Sequence, residues 1–411
     1  MNCVYKDIEV VEQKVGTPFY ILKLDRFQEN FGKFLESFRK IYPHTKIAYS
    51  YKANYIPQLC KVVDELGGLA EVVSEMEYDL ALRIGVQPKN IVFNGPYKTF
   101  KNIETALLSD TIVNLDSHYE IDILQNIAAV HRENRFGVGL RVSFLYDQSV
   151  DLSRFGFNVE NGSFAEAVRK IEGLGNIYIK GLHCHFMVPN KSATGYSKIA
   201  RNMIELYRDN FAAAGLSYID LGGGFFSPMP PELEVQFEGP VPNYEDYADA
   251  IATQFAAFFG KLEHKPLLIL EPGIALVADA MDFVARVIDA KPLHGKNLVL
   301  VNGSVYDIKP TLNKKNLPME IIRKNVDENT VKEFDVVGYT CMEKDYLLTD
   351  ASGAISTGDY VIFKNVGAYT VVLKPPFIRM APPIVSFSKG KCELIRRVEQ
   401  LDDVFKGYEV F

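Results

Sequence analysis

IAYSYKANYIPQLCKVVDELGGLAEVV, residues 47–73, reads as one strand–helix–strand unit. Residues 47–51 and 70–73 are short apolar runs of strand length, and 57–66 between them has helical spacing. Lys52 ends the first run. Burying its ammonium unpaired would cost several kcal/mol, so it is a poor core residue. It makes chemical sense if its amine forms a Schiff base with an aldehyde cofactor.

The same alternation runs outward as far as residue 273. Strands are expected at 47–51, 70–73, 91–94, 112–115, 138–143, 177–185, 218–221 and 267–270. Helical segments are expected at 57–66, 75–83, 102–108, 164–172, 198–214 and 244–262. Eight strands alternating with helices in about 230 residues fit a closed parallel barrel better than an open doubly wound sheet. Beyond 273 the texture changes to strands at 283–289, 298–302, 335–340, 359–364 and 384–387, separated by Gly, Pro and Asp turns. The expected organisation is an α/β barrel over 20–273 and an all-β domain formed by 1–19 with 274–411. Pro228, Pro230, Pro231, Pro240 and Pro242 predict an irregular loop over 228–242, either a cover for the active-site face or a passive insertion.

The chain has 411 residues, is 47% hydrophobic and carries a net charge of −7. That charge disfavours nucleic acid or an anionic membrane as the main partner. No apolar run reaches the roughly 18–20 residues of a membrane span. The opening residues lack a basic and then apolar leader, so a cytoplasmic location is expected. The five cysteines, Cys3, Cys60, Cys184, Cys341 and Cys392, contain no CxxC pair and read as free thiols.

Several motifs carry chemistry. Gly222-Gly223-Gly224 follows a strand, and such a run lets backbone N–H groups approach a phosphate or simply makes a flexible turn. It has neither dinucleotide-fold nor P-loop spacing. Glu271 follows the eighth strand, where a carboxylate faces the active-site end of a barrel. Beside a pyridine nitrogen it would keep that nitrogen protonated. Strand alternation puts His183 and His185 on one face and Cys184 on the other. No third ligand of sensible spacing is evident, so no metal is expected and His185 is better used against a planar cofactor. Cys341 could donate a proton, and Tyr369 could donate its hydroxyl to a phosphate.

Together these residues resemble the fold-type III family of pyridoxal-phosphate decarboxylases. That family includes diaminopimelate, ornithine and arginine decarboxylases, with alanine racemase a more distant relative. The resemblance implies a TIM-like, alanine-racemase-type barrel followed by a β domain, pyridoxal 5'-phosphate as cofactor, and a homodimer with shared active sites. It implies that Lys52 holds the cofactor covalently, with Glu71 and Arg141 nearby. His185 would stack on the ring, Gly222, Gly223 and Gly224 would cradle the phosphate with Tyr369, and Glu271 would pair with the pyridine nitrogen. Cys341 and Asp345 match the family's C-x-x-x-D pattern, delivered from the partner subunit, and Arg154-Phe155-Gly156 resembles its basic-Phe-Gly turn.

The departures bear on substrate. The family's EPGR reads Glu271-Pro272-Gly273-Ile274, and the missing arginine commonly helps bind phosphate or a substrate carboxylate. Met342 stands where an acid usually holds a distal amine, with Glu343 next to it. The small polar turn after the histidine reads His185-Phe186-Met187-Val188. An unpaired substrate charge would be costly beside Ile274 and Met342. The expected activity is therefore decarboxylation of an amino acid or amino-acid conjugate other than free diaminopimelate or ornithine. The alternatives are a racemase or epimerase on the same cofactor and a catalytically silent regulatory relative.

Overall fold

Eight parallel strands close into a barrel in the computed structural model, which describes residues 5–145, 153–185, 187–325, 330–374, 376–388 and 391–409. Cys3 and Phe186 lie outside the described residues. In chain order the first strands are β1 (Phe19–Leu22), β2 (Thr45–Ser50), β3 (Leu69–Val72), β4 (Ile91–Phe93), β5 (Ile112–Leu115) and β6 (Phe136–Ser143). There follow β7 (Phe157–Asn158), β8 (Ile177–His183), β9 (Tyr218–Asp220) and β10 (Leu267–Leu270). The barrel order is β5-β4-β3-β2-β10-β9-β8-β6, and β5 pairs β6 to close it. Its strands are covered on both faces, which is why they read as continuous apolar runs such as Leu267–Leu270.

Register sets the level of the polar residues. Ser50 pairs with Glu71, Arg141 with His183, and His183 with Asp220, all at or near the C-terminal ends of their strands. The barrel interior is shaped around Tyr218. A Cβ on Gly181 would fall 2.2 Å from its ring, and one on Gly139 would fall 2.1 Å from its hydroxyl oxygen.

The remaining strands are β11 (Met281–Leu293), β12 (Lys296–Val301), β13 (Met319–Ile322) and β14 (Val331–Val337). They continue with β15 (Tyr346–Ile355), β16 (Tyr360–Phe363), β17 (Ile384–Ser388) and β18 (Lys391–Arg396). They form a second sheet in the order β15-β14-β12-β11-β1-β17-β18, with β16 joining β11 to β13. β1, from the N-terminal end, sits inside this sheet between β11 and β17. The chain divides into two compact units: Glu29–Phe226 with Glu238–Ala275, and Met1–Gln28 with Ser227–Phe237 and Leu276–Phe411.

Several expected bounds shift for identifiable reasons. The helix placed at 198–214 runs Ala193–Asn210, because Ser192 caps it by accepting from the Gly195 N–H at 3.2 Å. β8 stops at His183, so His185 lies beyond the strand rather than on its face. The strand placed at 335–340 runs Val331–Val337, since the chain then turns around Asp345. β15 escaped the pattern because Asp350 and Gly353 take positive φ and break its alternation. Inside the proline-rich stretch 228–242 the chain forms one helical turn, Pro231–Glu234, entered by a proline whose missing N–H costs a first turn nothing.

Candidate active site

Lys52 lies in a single tight turn, Tyr51–Ala53, directly after β2. Its ammonium pairs with the Glu71 carboxylate on the adjacent β3. The Lys52 side chain keeps 29% exposure while Glu71 keeps 1%, so the amine is reachable and its counter-ion is not. Asn94, just past β4, links the two carboxylates of the site. Its Nδ2 donates to Glu71 Oε1 at 3.1 Å and to Glu271 Oε1. Its Oδ1 accepts from Asn114 at 2.8 Å, and Asn114 Oδ1 accepts from the Tyr218 hydroxyl at 2.6 Å. One buried chain thus runs through residues on β3, β5 and β9 and just past the ends of β4 and β10. Sequence reading missed Asn94, Asn114 and Tyr218, whose only signal is their placement on barrel strands or at their ends.

Glu271 and Asp220 form a buried carboxyl pair. Burial and the neighbouring Glu271 charge raise the Asp220 carboxyl well above the usual range. Glu271 keeps its charge: burial opposes this, but His183, His185 and the Lys52 ammonium hold it well below that range. His183 Nε2 lies 3.6 Å from Glu271 Oε1, and burial lowers this ring into its neutral form at neutral pH. His185 Nδ1 lies 3.5 Å from Glu271 Oε2 and accepts from the Gly223 N–H at 3.0 Å. The ligand atoms of His183, His185 and Glu271 fall within 4.8 Å of one another. This corrects the expectation that the histidines lack a third possible ligand; it arrives from β10, where spacing along one strand cannot show it.

Arg141 positions the histidine segment. It donates to Asp116 Oδ1 at 2.9 Å and to the His185 carbonyl at 2.7 Å. Its guanidinium lies 4.4 Å from the Phe155 ring, which Arg154 covers at 4.0 Å. Gly156, at φ +76°, lets that turn approach, since a Cβ there would be 2.8 Å from the Arg141 carbonyl.

The glycine run is a cradle with unfilled donors. The Gly222 N–H goes to Asp220 Oδ1 at 2.9 Å and that of Gly223 to His185. The N–H groups of Gly224 and Phe225 have no protein acceptor among the described residues. A Cβ on Gly223 would sit 2.1 Å from the Glu271 carbonyl, so β9 and β10 close here only with glycine. These features fit a phosphorylated pyridine aldehyde: a reachable amine, an ionised carboxylate for a ring nitrogen, a half-buried imidazole, and free N–H groups for a phosphate.

The other expected residues belong to the C-terminal unit or the edge of the barrel unit. Cys341 is an exposed free thiol, and Met342 and Glu343 are exposed beside it. Asp345 is buried and ties its own turn to the start of the helix Val305–Ile308, accepting from Ser304 Oγ, Val305 N, Thr340 N and Thr340 Oγ1. It braces these two segments against each other. Tyr369 is half-buried at φ +56°, and Ile274, half-buried, opens the short helix Ile274–Val277.

A closed parallel barrel with this set at its strand ends is an enzyme scaffold for amine–aldehyde chemistry on a phosphorylated cofactor. The family model for the pyridoxal binding domain of pyridoxal-dependent decarboxylases matches residues 28–278, and the chain belongs to that family. A diaminopimelate decarboxylase of Aquifex aeolicus is 28% identical, over 96% of this chain and 92% of the relative. One of Methanocaldococcus jannaschii is 26% identical over 97% and 92%. The structure of diaminopimelate decarboxylase from M. jannaschii in complex with L-lysine shares the fold, with a TM-score of 0.86 at 24% identity over 98% of this chain and 94% of that one. The chain is a pyridoxal-phosphate-dependent carboxy-lyase.

Proposed function

We propose that the chain decarboxylates an amino acid or amino-acid conjugate other than free diaminopimelate or ornithine, with Lys52 as the residue that holds the cofactor. The observation that carries the site assignment is the single hydrogen-bonded chain joining the reachable Lys52 amine, through Glu71 and Asn94, to the ionised, buried Glu271. When bound, pyridoxal phosphate supplies an electron sink for the bonding pair left as CO2 departs. Glu271 holds a proton on the ring nitrogen. Asn94 and His183 keep that carboxylate in place, and Arg141 fixes the segment carrying His185 against the ring. Gly224 and Phe225 offer N–H groups to the phosphate, and Tyr369 adds a hydroxyl. Glu71 holds Lys52 at the strand end until substrate arrives. Cys341 returns a proton to Cα from the partner subunit of a homodimer, and no metal takes part.

The named relatives are diaminopimelate decarboxylases at 26–28% identity, which supports the chemistry. Substrate choice rests on other positions. The resemblance would put the apolar side chains of Ile274 and Met342 where relatives pair a second charged substrate group, and leaving that group unpaired would cost roughly 1–3 kcal/mol.

Borohydride trapping followed by peptide mapping is expected to place the cofactor on Lys52; a label elsewhere sinks the assignment. A panel of free amino acids and their conjugates, followed by CO2 release, is expected to favour conjugates. Rapid turnover of free diaminopimelate would overturn the substrate reading alone. Mixing the Lys52→Ala and Cys341→Ala chains is expected to restore about a quarter of wild-type activity, as shared sites in a symmetric dimer require.

A further inference from the structure

Lys191 is a desolvated cation that no acid among the described residues neutralises. It ends the turn Pro189–Lys191 after β8, and both Asn190 (φ 49°) and Lys191 (φ 48°) hold left-handed backbone, a conformation rare outside glycine. The surroundings impose it. The Tyr247 hydroxyl donates to the Lys191 carbonyl at 2.8 Å, and the same hydroxyl accepts from the Phe226 N–H at 3.4 Å. The Lys191 ammonium thereby sits 4.6 Å from the Phe226 ring centroid, on the loop that begins with Gly222-Gly223-Gly224. Among the described residues no carboxylate lies within ion-pair distance of it. Burial alone pushes the ammonium down to about 8.

An unpaired surface lysine would extend into water. This one is held half-buried over an aromatic ring by backbone that is costly to maintain. The same loop leaves the Gly224 and Phe225 N–H groups without an acceptor. The usual polar partners are also missing nearby in sequence: Val188 is buried and apolar after His185, and Ile274 follows Gly273.

We propose that Lys191 is a binding residue for the cofactor's phosphate, supplying the positive charge of that site in this chain. The inference rests on the assignment of the Gly222–Gly224 loop to that phosphate made above. A phosphate dianion would complete the cation's pairing and accept from the two free N–H groups, as charge-assisted hydrogen bonds favour.

The test compares pyridoxal phosphate with pyridoxal, which lacks the phosphate, titrated into the cofactor-stripped full chain. Lys191→Gln is expected to weaken pyridoxal phosphate binding about tenfold or more, equivalent to about 1.4 kcal/mol, and to leave pyridoxal binding unchanged. Lys191→Arg is expected to keep most of the preference for the phosphate form. Equal loss of both ligands, or no loss, overturns the proposal. A second measurement needs no substitution. In the stripped wild-type chain, reductive methylation mapped to Lys191 is expected to be slowed by inorganic phosphate, and an unchanged rate overturns the proposal as well. Failure of the loop assignment itself would show separately, as a wild-type chain that binds the two ligands equally.

Discussion

Glu77 illustrates how one residue couples the site to pH. It is buried, and its Oε2 accepts from the Val73 N–H at 2.7 Å. Burial, reinforced by the Glu71 charge, pushes its carboxyl up to about 7 from an ordinary 4.5. Between those values the folded chain binds more protons than the unfolded one, so Glu77's contribution to stability falls as pH rises through that window. Glu77→Gln is therefore expected to melt a few degrees higher than wild type at pH 8, with the difference vanishing below about pH 4.5. Thermal melts across that range check the sign. At the same scale, His183, His185 and Glu271 could reach a common ion, yet the assignment above gives Glu271 to the cofactor. Dialysis against a strong chelator is expected to leave turnover unchanged, and loss restored by zinc would reassign the cluster.

At the scale of elements, the segment after β4 is pinned by charge. Lys98 and Glu120 are both fully buried and meet at 2.9 Å, and Lys98 also donates to the Gly95 carbonyl at 2.7 Å. Glu120 sits on the helix His118–Val130 and accepts from the Asp116 N–H, beside the carboxylate that holds Arg141. Removing one buried partner strands the other, at a cost of about 3–5 kcal/mol. Lys98→Met alone is expected to lose that much in denaturant titrations. Lys98→Met with Glu120→Leu is expected to recover much of it. Strand β8 offers a steric counterpart. Gly181 leaves the space that the Tyr218 ring fills, so Gly181→Ala is expected to cost at least about 1–3 kcal/mol. Because Tyr218 anchors Asn114 and, through it, Asn94, the same variant is expected to weaken cofactor retention, measurable by absorbance after gel filtration.

For the whole molecule, the interleaved chain path decides what may be cut. β1 carries the fully buried Phe19, Tyr20 and Leu22 and lies between β11 and β17. The Tyr20 hydroxyl donates to the Asp307 carbonyl at 2.6 Å. Deleting residues 1–23 would open a nine-stranded sheet at its middle and expose two unpaired edges. The deletion is expected to yield aggregated chain, read by light scattering; a soluble, cofactor-binding product would contradict this role for β1. Eight barrel strands were legible from apolar runs because both their faces are covered. β1 was not, since four apolar residues separated by about 260 from their partner strand carry no local sign of pairing.

What the sequence determined by itself was chemistry carried by contiguous residues. Lys52 at a strand end, the glycine run and Glu271-Pro272-Gly273 each needs only its own neighbours to be read, and so does the alternation of strand and helix. Only the tertiary structure decided which distant groups meet. Asn94 between Glu71 and Glu271, His183 against Glu271, Tyr218 in the space of two glycines and Lys191 over Phe226 arise when the barrel closes. Closure brings strand ends within hydrogen-bonding distance at separations that no local pattern records, and burial there makes each polar contact selective because an unpaired group is costly.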